Sequence, residues 1–193
     1  MTKVNPQRFR VVRTVLDAPE MAAIIRRMAG ELIERRPKLD EMMLVGIRTR
    51  GVPLAEAIHD AIEAQEGTSV PVGSLDITLY RDDLSTVGPQ PLVKGTNFPV
   101  PVEDRLVVLC DDVLYTGRTV RAALDELTDY GRPRAVRLAV LIDRGHRELP
   151  IQADVVGRAI ETAAEETVAV GFTGVDDGDY VRVLEPVGGE EAS

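Results

Sequence analysis

At 193 residues and a formal charge of −9, the chain is long enough for one domain that buries roughly 70% of its unfolded surface, and too acidic for a general nucleic-acid binder. Apolar residues supply 44% of it and aromatic ones only 4%, so a core of Val, Leu, Ile and Ala is expected. No apolar run approaches the ~18 residues of a membrane span, no signal peptide is read at the start, and one cysteine, Cys110, excludes an internal disulfide and suits a reducing cytoplasm.

Phe9 to Leu16 alternates weakly and predicts a short edge strand. Asp17-Ala18-Pro19-Glu20 then marks a helix start, with an Asp cap, Pro in the first turn and Glu at the third helical position. Met21, Ile24, Ile25, Met28 and Leu32 recur at helical spacing as its buried face, and Pro37 stops it. Arg26, Arg27, Arg35 and Arg36 lie largely off that stripe, which leaves either a solvated helix face or a surface turned toward RNA. Met42 to Ile47 is nearly all apolar, as in a central parallel strand. It leads into Arg48-Thr49-Arg50-Gly51 and a helix opening at Pro53 and running to about Ala64. Val70 to Leu79 alternates and predicts a third strand. Leu84 to Asp104, which holds Pro89, Pro91, Pro99 and Pro101, shows no periodicity, and so long an irregular segment inside a compact domain is usually functional or disordered.

The next stretch carries the chemistry. Leu106 to Leu109 is a β-branched and aliphatic run that ends on Cys110 and two adjacent carboxylates, Asp111 and Asp112. Val113-Leu114-Tyr115 makes a short turn, Thr116-Gly117-Arg118-Thr119 follows, and a helical pattern runs from Val120 to about Tyr130. This is strand, loop and helix, the unit in which open α/β sheets bind ligands at the carboxyl ends of their strands. A helix N-terminus has unpaired N–H groups and a partial positive charge, so it suits a phosphate. Thr116 and Thr119 can add hydroxyl donors, and Gly117 lets the backbone approach closely. Two carboxylates cannot face the same anion, so their partners are hydroxyls or a hydrated metal ion. A 5-phosphoribosyl group with Mg²⁺ nearby meets both demands. The plainer alternative is an ordinary strand-to-helix turn with a solvated acid pair. Cys110 has no base beside it and reads as a small buried hydrophobe.

Gly131, with Arg132 and Pro133 behind it, predicts a left-handed cap on that helix. Ala135 to Ile142 is a further buried strand that closes on Asp143-Arg144-Gly145-His146-Arg147-Glu148-Leu149-Pro150. His146 reads first as a surface histidine. The remaining pieces are short: Ala153 to Val156, Thr167 to Val170 and Tyr180 to Leu184.

The run Asp111 to Thr119, together with Tyr80-Arg81-Asp82-Asp83 and the Asp143 to Pro150 segment, resembles the PyrR family of pyrimidine-operon regulators and uracil phosphoribosyltransferases. The resemblance spans about Pro19 to Tyr180. It implies the type I phosphoribosyltransferase fold: an α/β domain over residues 1–193, with a mostly parallel central sheet flanked by helices, a flexible loop at about 82–104 and a hood at about 150–183. It implies that Asp111 and Asp112 hold the ribose hydroxyls while Val113, Leu114, Tyr115, Thr116, Gly117, Arg118 and Thr119 wrap the 5-phosphate. Thr49, Arg50 and Gly51 become the diphosphate loop, with a guanidinium suited to paired bonds with phosphate oxygens. Arg81 would reach the diphosphate from the base of the mobile loop, Arg144 would lie near diphosphate or base, and Ile160 would meet uracil through its backbone. The family usually has Pro-Thr-Ser after that Ile, where Glu161-Thr162-Ala163 stands here.

The activity so implied joins uracil to 5-phosphoribosyl diphosphate, giving UMP and diphosphate. Asp111, Asp112, Arg50 and Arg81 are the catalytic candidates. Mg²⁺ would be bound mainly through the diphosphate, with no direct protein ligand named. The same resemblance implies UMP-dependent binding to the mRNA leader of pyrimidine genes, through Arg26, Arg27, His146, Arg147 and Arg158 on a homodimer or higher oligomer in the cytoplasm. The family often has His where Gly30 stands and a basic residue where Gln152 stands. The alternative is a uracil-salvage enzyme without RNA-binding regulation. A dinucleotide-binding domain would need a Gly-x-Gly-x-x-Gly turn after its first strand and a P-loop kinase a Gly-Lys-Ser/Thr, and neither is present.

Overall fold

The computed structural model describes residues 9–35, 38–78 and 95–187. In chain order they form β1 (Phe9–Leu16), α1 (Ala18–Glu34), β2 (Met42–Ile47), α2 (Gly51–Glu66), β3 (Val72–Leu75), β4 (Leu106–Leu114), α3 (Arg118–Thr128), β5 (Ala135–Asp143), β6 (Val155–Ala159), β7 (Thr167–Gly171) and β8 (Tyr180–Pro186). Five of the strands make a sheet in the order β3-β2-β4-β5-β6, every neighbouring pair parallel. The other three make a small antiparallel sheet in the order β1-β8-β7.

The apolar runs in β2, β4 and β5 are continuous because both faces of the large sheet are covered. Met42, Leu44, Val108 and Cys110 pack toward α1 and α2, beneath Met28, Leu32, Leu54 and Ile58. Met43, Val45, Val107 and Leu109 pack the opposite way, against Val120, Ala123 and Leu127 of α3. The alternation of a strand and the 3.6-residue period of a helix thus meet in two cores with one sheet between them. Leu16, Val170 and Val181 of the small sheet, with Phe172 just after β7, belong to the first core, which anchors that sheet over the same face.

The expected start of α1 is present in full. Asp17 accepts from the Glu20 N–H at 2.9 Å, and the Glu20 carboxylate accepts from the Asp17 N–H at 3.0 Å. Ile24 is half-buried where the stripe predicts a core position, and Ala29 takes a core place instead. Helix α2 opens at Gly51, two residues before Pro53.

Several expectations are corrected. β4 does not end at the acids: it stays paired with β5 through Leu114 opposite Asp143, so Asp111 and Asp112 are strand residues. β3 is four residues long, because Asp76 turns the chain by accepting from the N–H and the hydroxyl of Thr78. The segment near 155 is not part of the hood; it forms β6, the outer strand of the large sheet. The hood is closed instead by β1, whose partner β8 comes from the other end of the sequence. Residues 95–104 form no helix or strand, as the missing periodicity predicts, but they are packed onto the domain: Asn97 bridges Ser74, Val102 is buried, and Phe98 meets Tyr130 edge-to-face at 5.0 Å. Asp129, not Gly131, caps α3, and Gly131 (φ +138°) carries the chain past Glu103, which a side chain there would strike.

Candidate active site

The chain leaves β2 toward β3 on one side and takes up β4 and β5 on the other, so the strand order reverses between β2 and β4. Ligands of open α/β sheets bind at such a reversal, beyond the carboxyl ends of the strands. Here that crevice receives the starts of α2 and α3 and, between them, the acid pair.

The three helices differ at their N-termini in a way that follows from sequence. α1 is capped by an Asp and carries Glu20 in its first turn. The N-cap residues of α2 and α3 make no side-chain cap bond, their first turns hold no acid, and at α3 only the Thr116 hydroxyl accepts, at 3.4 Å, from the Arg118 N–H. Their starts therefore offer N–H groups and positive potential without an acidic group of their own to offset it. The N-cap of α3 is Gly117, at φ +93°, a left-handed conformation, and an added Cβ would press on Ile151 and Leu149. Thr116 turns its carbonyl toward the N–H groups of Glu148 and Leu149, at 3.0 and 3.1 Å, which ties this loop to the segment after β5. At the start of α2 Gly51 lies so close to β4 that an added Cβ would fall 2.2 Å from the Cys110 carbonyl oxygen. The Arg48–Thr49 peptide just before it is cis.

Asp111 and Asp112 are 5% and 3% exposed, and the Asp112 N–H donates to Asp111 Oδ1 at 3.0 Å. Burial raises the pKa of Asp111 well above the usual carboxylate range, and the neighbouring Asp112 charge adds to it. Burial also raises Asp112, though the bond with Asp111 and the Arg50 guanidinium act in the opposite direction. Cys110, fully buried beneath them, has its thiol pushed up to about 12 by the same loss of water. It is inert packing, as its sequence context predicts.

Of the two arginines after β2, only Arg50 faces the acids. Arg48 turns away, donating to the Gly95 carbonyl at 2.7 Å and to Ser74 Oγ at 3.1 Å. Arg50 is gripped by Asp176 from the β7–β8 turn: Nε to Oδ2 at 3.1 Å and Nη2 to Oδ1 at 2.7 Å. Sequence reasoning missed Asp176. It stands 126 residues from its partner in an acidic turn with no motif around it.

A second cluster ties the segment after β5 to residues 161–163. Arg144 is buried, donates to Thr162 Oγ1 and the Ala163 carbonyl, each at 3.1 Å, and lies 4.1 Å above the Tyr115 ring. His146 Nε2 lies 2.8 Å from the Thr162 carbonyl oxygen, and Arg13 of β1 donates to that of Glu161 at 2.7 Å. The Ile160 N–H is taken by the Asp143 carbonyl at 2.8 Å, so only its carbonyl side remains for a ligand. His146 is exposed, as the surface reading expects, and its ring also contacts Thr162.

Residues 11–173 match the phosphoribosyl transferase domain model. The Bifunctional protein PyrR of Deinococcus radiodurans is 51% identical over 173 residues, 90% of this chain and 94% of that protein. Those of Chloroflexus aurantiacus and Roseiflexus sp. strain RS-1 are 54% and 55% identical, over 89% and 86% of this chain and 94% and 91% of theirs. The chain belongs to the PyrR family. Its fold is that of type I phosphoribosyltransferases. A hypoxanthine phosphoribosyltransferase from Staphylococcus aureus matches with a TM-score of 0.69 at 20% identity, covering 91% of this chain and 94% of that one. The enzyme of the same name from Trypanosoma cruzi matches with 0.69 at 16% identity, over 91% and 98%.

Within the PyrR-type sequence, Arg81 lies outside the described residues. The five arginine and histidine positions named for RNA fall at three places. Arg26 lines a cleft of about 500 Å³ between α1, α2 and the β7–β8 turn. Arg27 reaches β6 from α1 and Arg158 is part of β6, their guanidiniums on the carbonyls of Val156 and Gly157 and of Val15 respectively. Arg147, with His146, lies beyond β5 and is turned inward, bonded to Asp143 Oδ2 at 2.6 Å and to the Tyr115 and Ile151 carbonyls. Among the described residues, no helix is long and apolar enough to cross a membrane.

Proposed function

We propose that the protein is a uracil phosphoribosyltransferase whose product, UMP, favours its binding to the mRNA leader of pyrimidine genes. The enzymatic half rests on one observation: two helix N-termini with no acid in their first turns flank a buried acid pair at a single crevice of a parallel sheet. The start of α3, with Thr116 and Thr119, suits the 5-phosphate of 5-phosphoribosyl diphosphate. The start of α2, with Thr49, Arg50 and Gly51, suits the diphosphate at the other end of that substrate. Asp111 and Asp112 lie between and suit the ribose hydroxyls. Uracil then belongs beside Ile160, against the segment that Arg144 and His146 pin.

The reaction forms a bond from uracil N1 to ribose C1 as the C1–O bond to diphosphate breaks. A cationic ribose with oxocarbenium character is the demanding species. Burial disfavours the charged form of Asp111 and Asp112 in the ligand-free protein, and a cationic ribose beside them favours it again, where little water screens the attraction. Arg50 and the α2 N–H groups receive the negative charge that develops on diphosphate. Holding base and ribose in line supplies the rest. The donors around the crevice are oxygens, and among the described residues no three His, Cys, Asp or Glu gather as a cage. That suits Mg²⁺, which keeps several waters and would be held through the diphosphate and the hydroxyls that Asp111 and Asp112 orient. Its chemistry there is to offset the diphosphate charge.

Incubating the protein with Mg²⁺, 5-phosphoribosyl diphosphate and one base at a time tests this. Uracil alone should release diphosphate, and release with hypoxanthine, guanine or orotate instead would overturn the base assignment. The regulatory half is supported by relatives that are more than half identical to this chain over the aligned residues and are called bifunctional. It is also supported by the exposed Arg27 and Arg158 at β6. Titrating the protein against its own pyrimidine-gene leader at fixed salt should show binding strengthened by UMP, about 5–150-fold for a typical coupling. Affinity no better than for an unrelated RNA would leave a salvage enzyme. The same reading makes it a cytoplasmic protein acting as a homodimer or higher oligomer, which sedimentation measures directly.

A further inference from the structure

The Arg50–Asp176 pair is a problem for the site as read so far. The guanidinium needed by the diphosphate already holds a carboxylate through two bonds, the geometry in which it would hold a phosphate. We propose that Asp176 is a positioning residue that acts through Arg50: it occupies the guanidinium in the ligand-free enzyme and yields it to diphosphate, and so sets how tightly diphosphate and its ribosyl ester are held. This rests on the function proposed above.

Two features make Asp176 a competitor and not a passenger on Arg50. Its carboxylate is anchored by its own turn, since Oδ2 also accepts from the Phe172 N–H at 3.2 Å and the Asp176 N–H bonds back to the Phe172 carbonyl at 2.7 Å. Phe172 is itself buried in the core beneath the hood, so this turn cannot follow Arg50 toward a ligand without disturbing that core. The second feature is charge. The bond from Arg50 lowers the Asp176 pKa, so the group is an anion at neutral pH beside a subsite meant for an anion. The pair is also partly shielded, the Arg50 side chain 25% exposed and that of Asp176 15%, so water screens the competition only in part. A filled subsite must therefore break a formed ion pair and leave a carboxylate near the phosphates. The effect is to weaken ground-state binding of substrate and to speed release of product diphosphate.

The variant to make is Asp176→Asn, which keeps an oxygen for the Phe172 N–H and removes the charge. Binding of inorganic diphosphate with Mg²⁺, measured by calorimetry, should tighten about threefold or more. The KM for 5-phosphoribosyl diphosphate should fall while that for uracil holds. Asp177→Asn, an equal charge change at the exposed neighbouring position, should leave diphosphate affinity within about twofold. In an Arg50→Gln background the Asp176→Asn gain should vanish, which direct competition requires and a general charge effect does not. Should Asp176→Asn misfold, Asp176→Ser serves the same comparison. Unchanged or weaker diphosphate binding in these variants, with wild type binding normally, would overturn the proposal and make Asp176 a support for Arg50. Wild type that binds neither diphosphate nor its ribosyl ester would remove the parent reading as well.

Discussion

Gly51→Ala puts the tightest contact in the site under test. The added Cβ would fall 2.2 Å from the Cys110 carbonyl oxygen, against a practical minimum of 3.0 Å, so about 0.8 Å must be found. β4 cannot supply it, because at Cys110 it is paired with β2 on one side and β5 on the other. The carbonyl carbon of Gly46, at 3.3 Å, is a further backbone atom in close contact. The movement therefore falls on residues 49–51 and the start of α2, which must shift outward by about 1 Å. Overpacking of this kind costs about 1–3 kcal/mol, or a Tm lowered by about 2–12 °C in a chain of this size. The larger effect should be on catalysis: a misplacement of about 1 Å in a positioning group can cost about 10²-fold, here in kcat/KM for 5-phosphoribosyl diphosphate. Gly67→Ala is the control. It sits at φ +66° at the end of α2 with nothing within 4 Å, so it should lose about 1–2 kcal/mol from strain while activity holds. Calorimetric Tm and initial-rate kinetics on both variants decide. Wild-type KM and Tm in Gly51→Ala would refute the argument, since the loop would then be able to give way without moving Arg50.

Asp111→Asn should raise Tm at neutral pH while lowering turnover. The folded-state pKa of Asp111 lies well above its ordinary 3.8, so native protein keeps a proton the unfolded chain sheds. Stability from this group is thus lost as pH rises above about 3.8, and the gain in the variant should fade as pH is lowered toward that value; a gain that grows with acid would contradict the sign. Arg144→Gln removes both bonds to the segment beside the base and the cation above Tyr115. The KM for uracil should rise about tenfold with the KM for 5-phosphoribosyl diphosphate nearly unchanged, and the reverse split in steady-state kinetics would reassign Arg144 to the phosphates. Cys110, buried and with its thiol pushed up to about 12, should resist a thiol reagent at pH 8 until denaturant is added. Rapid labelling of the native protein would show that β4 opens.

The elements legible in the sequence are those whose instructions are local. Asp17 and Glu20 are three residues apart and form their capping box whatever lies beyond them. The aliphatic runs of β2, β4 and β5 are long enough to require burial on both faces, which implies a parallel sheet with helices on either side. The acid pair followed by Thr-Gly-Arg-Thr announces a strand, a turn and a helix start within nine residues. Gly117, read as permitting close approach, takes a left-handed backbone in the folded chain.

What the sequence hid are contacts made across long separations. β1 alternates too weakly to say which sheet it joins, and only β8, 175 residues from Arg10 at its Glu185, gives it a partner. The segment near 155 has the short apolar pattern of either sheet, and the free edge of β5 settles its place. Arg48 and Arg50 look equivalent in a line of text, yet one ties down Gly95 and the other meets Asp176. By itself, then, the sequence determined the parallel sheet, the Thr-Gly-Arg-Thr turn and the acids, because each depends on period, capping or adjacency. Only the tertiary structure decided which carboxylate faces Arg50 and which side chains hold residues 161–163, because those pairings depend on how two sheets stack and not on any neighbour in the chain.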